Sequence, residues 1–217
     1  MNFDEMIDVV GRRLGNRTDL DTWILSEMKL AQDALEDGDV IPWFLQTTAD
    51  VTITNGTEYG TGPLPTGFIQ EIEEEGFWLK DFTTTLRVYE LIKAEPKILI
   101  QSTIDNELPN NNTPGFYALG EGAILTYPIS TNATETIDVH FYAKDTTVPA
   151  NDATTNAWAT NAAELLIAET GMRIAPYLDN KAALASFNSS RNEAMGRLVK
   201  THEMKQAANQ SMSMRAY

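Results

Sequence analysis

The sequence predicts an α+β fold: a helical bundle formed by the N- and C-terminal segments, with an inserted antiparallel β domain and an extended C-terminal tail. Three observations support it. Apolar residues recur at helical spacing near both ends of the 217-residue chain. Short runs of β-branched and aromatic residues fill the middle. The apolar stripe ends after Val199. The predicted domains are residues 1–46 with 150–200 (helical body), 47–149 (β domain) and 201–217 (tail).

Two helices are predicted before the β region. The first covers residues 3–14, and Gly15 follows its last apolar residue. The second covers residues 18–38, with Thr18 as the N-cap and Gly38 in the left-handed conformation that ends many helices. Its apolar residues are expected on one side: Leu20, Trp23, Ile24, Met28, Ala31 and Leu35.

Five to seven antiparallel strands are predicted in the middle of the chain. Candidate runs lie at 51–53, 86–89, 97–100, 116–119, 123–127 and 137–142. Two stretches, 56–67 and 105–115, are too polar or too rich in glycine for a core, and we expect them to be long exposed loops.

Helix returns after the β region. Residues 155–171 carry an apolar side, and Gly171 is the predicted helix stop. A last helix begins at about Lys181. Residues 201–217 combine methionines with basic and polar residues, and this mixture offers too little apolar surface to fold against the body. We expect this tail to become ordered on a partner.

Charge is distributed unevenly along the chain. Residues 1–179 hold 29 acids and 10 bases, a net charge of −19, whereas residues 180–217 hold 2 acids and 6 bases, a net charge of +4. Ten acids and no Lys or Arg lie between Leu30 and Leu79. Such an excess disfavours DNA binding, because the phosphate backbone is itself negative. Solubility is the ordinary explanation of an acidic surface.

Composition also limits the chemistry. The chain has no cysteine, which excludes disulfides and thiolate catalysis, and only two histidines. No apolar run reaches the roughly 18 residues of a membrane helix, and the N-terminus lacks the basic flank of a signal peptide. We expect an unexported protein without cofactor, bound metal or membrane contact.

No catalytic motif stands out. Glu71, Glu73, Glu74 and Glu75 are more typical of a solvated face than of the paired carboxylates of a glycosidase. The run Asp105-Asn106-Glu107 lacks the alternation and glycine of a calcium loop. His140 and His202 have no nucleophile at a recognisable spacing. The sequence therefore predicts a protein that is not an enzyme.

The order of elements resembles a known family. The helical AQDALEDG segment is followed by PWFLQTT, a strand-rich region, NAWATNAAELLIAETGMRIAPYL and a last helix. This order resembles the head-to-tail adaptor proteins of tailed bacteriophages, especially the short-tailed ones. The resemblance implies a virion structural protein at the head-tail interface, made in the host cytoplasm. It also implies a homo-oligomeric ring, twelve-fold in that family, that lies beneath the portal, meets tail or nozzle proteins and surrounds the DNA channel.

The residues suggest how such an adaptor would bind its partners. The expected portal-binding residues are Arg191, Arg197, Lys200, Lys205, Met212, Met214, Arg215 and Tyr217. The expected tail-facing loops contain Gly56, Tyr59, Asn110, Asn111 and Asn112. DNA would pass through the acidic ring without specific binding during genome ejection.

Two other functions stay open. A receptor- or carbohydrate-binding β domain in a virion protein would bring exposed aromatic residues such as Tyr59, Phe77 and Trp78 together in a groove. An enzyme would need paired acids in a cleft.

Overall fold

The computed structural model divides the chain into two compact units, Met1–Leu45 with Asp145–Tyr217, and Gln46–Lys144. It describes every residue except 57–58, 73–75, 82–85, 98–112, 121, 130–131, 151–152 and 214–217, and it describes the backbone alone at 206 and 208–213. We call the first unit the helical unit and the second the barrel unit.

Five helices form the described part of the helical unit: α1 (Phe3–Arg13), α2 (Asp21–Glu36), α3 (Ala157–Asn161), α4 (Ala163–Ile174) and α5 (Lys181–Ser213). Short 3-10 turns lie at Thr18–Leu20 and Trp43–Leu45. The core contains the apolar stripes of the first two helices, including Met6, Val10, Ile24 and Met28, none of them exposed. The sequence predicts these stripes because their apolar residues recur at the spacing of a helical turn.

The predicted helix ends were less accurate than the helices. Asn2 caps α1, and its Oδ1 accepts from the Glu5 backbone N at 2.8 Å while the Glu5 Oε2 accepts from the Asn2 backbone N at 3.0 Å. The predicted cap at Thr18 is wrong, because a 3-10 turn without a side-chain cap precedes α2. Gly38 does not adopt a positive φ, so its predicted left-handed conformation is wrong as well.

Gly171 has a different role from the predicted helix stop. It lies inside α4, which continues to Ile174. A Cβ at Gly171 would lie 2.4 Å from two ring atoms of Phe187, a fully buried residue of α5. The missing side chain therefore lets α4 and α5 approach closely.

Eight strands form the described sheet of the barrel unit: β1 (Gln46–Asn55), β2 (Gly60–Pro63), β3 (Phe68–Glu71), β4 (Phe77–Lys80), β5 (Arg87–Lys93), β6 (Phe116–Gly120), β7 (Ala123–Tyr127) and β8 (Thr134–Ala143). The pairing runs β1-β2-β7-β6-β5-β4-β8 and returns from β8 to β1, which closes a seven-stranded barrel. Strand β3 pairs with the end of β8 outside this circuit.

Inward-facing apolar side chains fill the barrel. The core residues are Val51, Ile53, Phe77, Leu79, Leu91, Tyr117, Ile124, Ile137, Val139 and Phe141. Phe77 stacks on Tyr117 with ring centroids 4.2 Å apart. On β2, a Cβ at Gly60 or Gly62 would lie 2.7 Å or less from Ile53 side-chain atoms, so glycine lets this strand lie against a large core residue.

The predicted fold class is wrong. The structure is a seven-stranded β-barrel with five described helices, whereas the sequence predicted a helical bundle with an inserted antiparallel β domain and an extended C-terminal tail. Strands β5 and β6 are parallel, so the sheet is not purely antiparallel. Residues 201–213 are helical, because they contain good helix formers and no glycine or proline.

Three other predicted elements in the middle of the chain have different outcomes. The predicted loop at 56–67 contains strand β2. Most of the predicted strand at 97–100 and most of the predicted loop at 105–115 lie outside the described residues, and both stay predictions there.

Candidate interaction surfaces

Arg191 and Arg197 lie on α5 and bind glutamates of α4. The Arg191 Nε lies 2.6 Å from the Glu169 Oε2, and Arg197 forms an ion pair with Glu164. Both contacts join the two helices, and together with the Gly171–Phe187 contact they set an antiparallel register. The structure therefore gives both arginines a role inside the helical unit, and their contact with a portal stays a prediction.

The last part of α5 extends beyond these ion pairs. Lys200 is exposed there, and the Lys205 Nζ lies 4.9 Å from the centroid of the Trp43 ring, a cation–π contact. The apolar side chain of Met204 is 57% exposed on the same segment. Met212 lies on α5 where only the backbone is described, and Met214, Arg215 and Tyr217 lie outside the described residues.

Gly56 and Tyr59 lie in the turn between β1 and β2. The Gly56 N donates to the Tyr59 O at 3.1 Å. The Tyr59 ring packs against a small buried cluster of Ala118, Leu125 and Tyr127, which restrains the side chain. The predicted loop residues Asn110, Asn111 and Asn112 lie outside the described residues. Tail binding by these five residues stays a prediction.

The acids between Leu30 and Leu79 do not form a uniform exposed face. Glu36 and Glu71 are buried, and the Asp50 Oδ1 lies 2.5 Å from the Lys80 Nζ. Residues 58 and 73–75, which supply four of the ten acids, lie outside the described residues. A role for the acidic surface in DNA passage stays a prediction.

A buried polar network lies around Glu36 at the end of α2. The Glu36 Oε1 accepts from the Trp158 Nε1 at 2.8 Å, the Gln32 Nε2 at 3.1 Å and the Asp145 backbone N at 3.2 Å. Burial raises the pKa of Glu36, and these hydrogen bonds oppose the shift. The Asn156 Nδ2 donates to the Gln32 Oε1 at 2.8 Å and extends the network to the start of α3.

Sequence reasoning missed this network, although a signal was present. Gln32 and Glu36 occur four residues apart on the side of α2 that carries Met28 and Leu35. Polar residues within an apolar stripe indicate either an error in the predicted helix face or a buried network. Each of the two side chains belongs to a residue that is only 2% exposed, so the second explanation holds.

A charged cluster lies on the outward side of the barrel strands. The Arg87 Nε donates to the Asp138 Oδ2 at 2.7 Å, and the guanidinium also contacts His140. The same guanidinium lies 5.7 Å from the centroid of the Trp78 ring. Both Asp138 and His140 are buried. The cluster joins β4, β5 and β8 through satisfied contacts.

The aromatic residues named for a carbohydrate groove do not come together. Phe77 is fully buried inside the barrel, whereas Trp78 points to the opposite side of β4 and Tyr59 packs on the smaller cluster. Since consecutive residues of a strand point to opposite faces, Phe77 and Trp78 could not share a groove on one face.

The residues weighed for catalysis are dispersed. Glu71 is buried and accepts from the Tyr117 Oη at 2.9 Å, and it also binds Lys93. Within the described residues, no group of three or more Asp, Glu and His side chains is close enough to hold a metal ion. His140 belongs to the barrel unit and His202 to α5. The predicted calcium-type run at 105–107 lies outside the described residues.

No helix in the described part of the chain has both the length and the apolar character needed to cross a bilayer.

The fold defines a class of protein with a seven-stranded barrel unit and a helical unit, both of which carry exposed charged and apolar side chains. A family model, the SU10 adaptor protein, matches residues 1–216, and the chain belongs to that family. A search of curated proteins finds no match.

Family membership supports a phage head-to-tail adaptor with a structural role in the virion, and it implies interaction with portal and tail proteins. It also suggests that the protein is not an enzyme. The resemblance to phage adaptors is therefore confirmed at the level of the family.

Proposed function

We propose that this protein forms a homo-oligomeric ring, twelve-fold, beneath the portal of a short-tailed phage. The ring would link the portal to the tail or nozzle proteins and surround the channel through which DNA leaves the head. The order of elements along the chain supports the short-tailed type. The excess of acidic residues in 1–179 supports DNA passage without specific binding, because like charges repel.

The length of helix α5 is the observation that supports a portal contact in this proposal. Helix α5 has 33 residues and is therefore about 50 Å long. In the described part of the chain, its last ion pair with α4 is made by Arg197, and Leu198 is the last buried residue of its apolar stripe. The residues that follow Leu198 are not needed for the pairing of α5 with α4.

The stretch of α5 beyond this pairing begins at Val199 and ends at Ser213, and it carries Lys200, Met204 and Lys205, the last in contact with Trp43. A helical segment with mixed basic and apolar side chains suits a groove on another protein.

In this proposal α5 and the following residues bind the portal. Arg191 and Arg197 would orient α5 through their ion pairs and present their remaining N–H groups to the portal, while Lys200, Lys205, Met212, Met214, Arg215 and Tyr217 would contact it directly. Repetition of the contact around a ring would convert a modest affinity into firm attachment. Gly56, Tyr59, Asn110, Asn111 and Asn112 would contribute to the tail-facing side.

Deletion of residues 201–217 tests the portal contact. The truncated protein should keep its far-ultraviolet circular dichroism, apart from the loss of the deleted helical residues, and should no longer join portal-bearing heads. The paired substitution K200Q/K205Q should weaken joining, whereas K181Q removes one exposed positive charge at the other end of α5 and should not. Joining at the full level by the truncated protein would contradict the proposal.

Electron microscopy tests the ring separately. Mixtures of the protein with purified portal rings should show an added ring of matching symmetry on the portal. Single copies bound at irregular positions would exclude the ring and leave the portal contact standing.

A further inference from the structure

A cavity of about 480 Å³ opens among strands β3, β5 and β6 of the barrel unit. Its lining includes Glu71 on β3, Glu90, Ile92 and Lys93 on β5, and Tyr117 on β6. The cavity therefore combines two carboxylates, one ammonium group, one phenol and an aliphatic wall.

The two carboxylates differ in how far their charge is matched. Glu71 accepts from the Tyr117 Oη at 2.9 Å and forms an ion pair with Lys93, so its charge is balanced. Burial, together with the nearby Glu90, raises the pKa of Tyr117 to about 12, and the phenol stays a proton donor at neutral pH. This group of three side chains is electrically neutral.

Glu90 is the carboxylate whose charge is not matched. No hydrogen bond or ion pair joins its carboxylate to another residue in the described part of the chain. The carboxylate lies over Gly76, where a Cβ would be 2.2 Å from the Glu90 Oε1, and the φ of +57° at Gly76 also favours glycine. The backbone thus leaves room for this carboxylate at the cavity.

Exposed aliphatic side chains lie on the same strand. Ile92 is 61% exposed and Val88 is 54% exposed, whereas Tyr89 and Leu91 between them face the barrel core. The barrel unit as a whole is acidic, since residues 46–144 hold 14 acids and 5 bases, a net charge of −9. A basic partner is therefore favoured on electrostatic grounds.

We propose that this cavity binds a lysine or arginine side chain of a partner protein, with aliphatic residues on either side of it in the same partner segment packed on Ile92 and Val88. The cationic group would meet the Glu90 carboxylate, and its methylene stem would cover the aliphatic wall. The inference rests on the proposed function in one respect, because the partner is taken to be a protein that the barrel unit meets in the virion.

The test uses the full-length protein and a synthetic peptide as the probe. The peptide alternates isoleucine and lysine over five residues and is acetylated and amidated, and a second peptide carries glutamate in place of lysine. Binding is followed by amide chemical shifts of the labelled protein at physiological salt, which suppresses unspecific attraction to the acidic surface. We expect shifts at Glu90 and Ile92 with the lysine peptide and none with the glutamate peptide.

Three variants locate the contact. E90Q and I92S should each weaken binding of the lysine peptide by roughly fivefold. E95Q is the matched control, because Glu95 is an exposed acid of the same unit that does not line the cavity, and it should bind as the unchanged protein does. Circular dichroism checks that each variant is folded.

The outcomes decide the proposal independently of portal binding. If E90Q and E95Q lose the same affinity for the lysine peptide, the binding reflects the overall negative charge of the unit, and the proposed site is refuted. The absence of chemical-shift changes at the cavity, or equal binding of the two peptides, would also refute it. E90Q should still join portal-bearing heads, because the proposed portal contact lies on α5. If the 201–217 deletion joins heads normally while the peptide result holds, the proposed portal contact fails and the cavity site stands.

Discussion

Gly171→Ala offers a direct test of how α4 and α5 pack. The new Cβ would lie 2.4 Å from the Phe187 Cε1 and Cζ and 2.5 Å from its Cδ1, so the buried ring must shift by about 1 Å to reach ordinary contact. Such overpacking costs about 1–3 kcal/mol. Replacing a mid-helix glycine with alanine offsets about 1 kcal/mol of this cost. We therefore expect a net destabilisation of about 1 kcal/mol.

Gly196→Ala is the matched control for this substitution. Gly196 also lies inside a helix, but a Cβ there would meet nothing within 4 Å. The propensity gain then stands alone, and we expect a stabilisation of about 0.5–1 kcal/mol. In a chain of this size each kcal/mol changes Tm by roughly 2–4 °C, so the two variants should shift Tm in opposite directions.

The assay is urea and thermal unfolding followed by far-ultraviolet circular dichroism, which reports the helices. Combining Gly171→Ala with Phe187→Leu should show coupling, because a smaller, flexible side chain can accommodate the new methyl group. If Gly171→Ala is as stable as Gly196→Ala, then the close approach of α4 and α5 at this point is refuted.

Two further predictions concern buried positions. The raised pKa of Glu36 means that the folded state keeps the proton on this carboxyl group to higher pH than the unfolded state does. The resulting contribution to stability is fully present below the ordinary glutamate pKa and is lost as the pH rises through the raised pKa. Glu36→Gln should flatten this part of the pH dependence of unfolding, and an unchanged profile would exclude Glu36 as its source. In the barrel, Gly60→Ala would place a Cβ 2.5 Å from the Thr126 Oγ1 and 2.7 Å from the Ile53 Cγ2. We expect it to destabilise by about 1–3 kcal/mol, whereas Gly115→Ala has open space and should melt close to the unchanged protein; equal Tm values for these two variants would contradict the tight packing of β2.

The basic character of the last helix could be anticipated from the sequence alone. The basic residues of 180–217 stand out against an acidic chain, and the structure places Lys200 exposed on the last part of α5. The ion pairs of Arg191 and Arg197 could not be predicted, because their partners lie 22 and 33 residues away on α4. The cavity was missed for the same reason, since Glu71 and Tyr117 meet across 46 residues of sequence.

By itself the sequence determined many of the local elements and the family. Helical periodicity predicted α1, α2 and the start of α5, and alternation predicted β8, because these patterns arise from residues a few positions apart. The order of the elements indicated the adaptor family.

Only the tertiary structure decided how the strands close and why certain glycines are needed. The barrel depends on pairs such as Val51 with Ile137, which are far apart in sequence and leave no local periodicity. Strand β2 was missed because its glycines lack the side chains that mark a strand, and they are glycines because Ile53 occupies the space. Position 171 is likewise a glycine because the Phe187 ring occupies the space that a side chain would need. Local sequence patterns indicate the backbone conformation of each segment, whereas the close approach of segments that are distant in sequence depends on how their side chains pack.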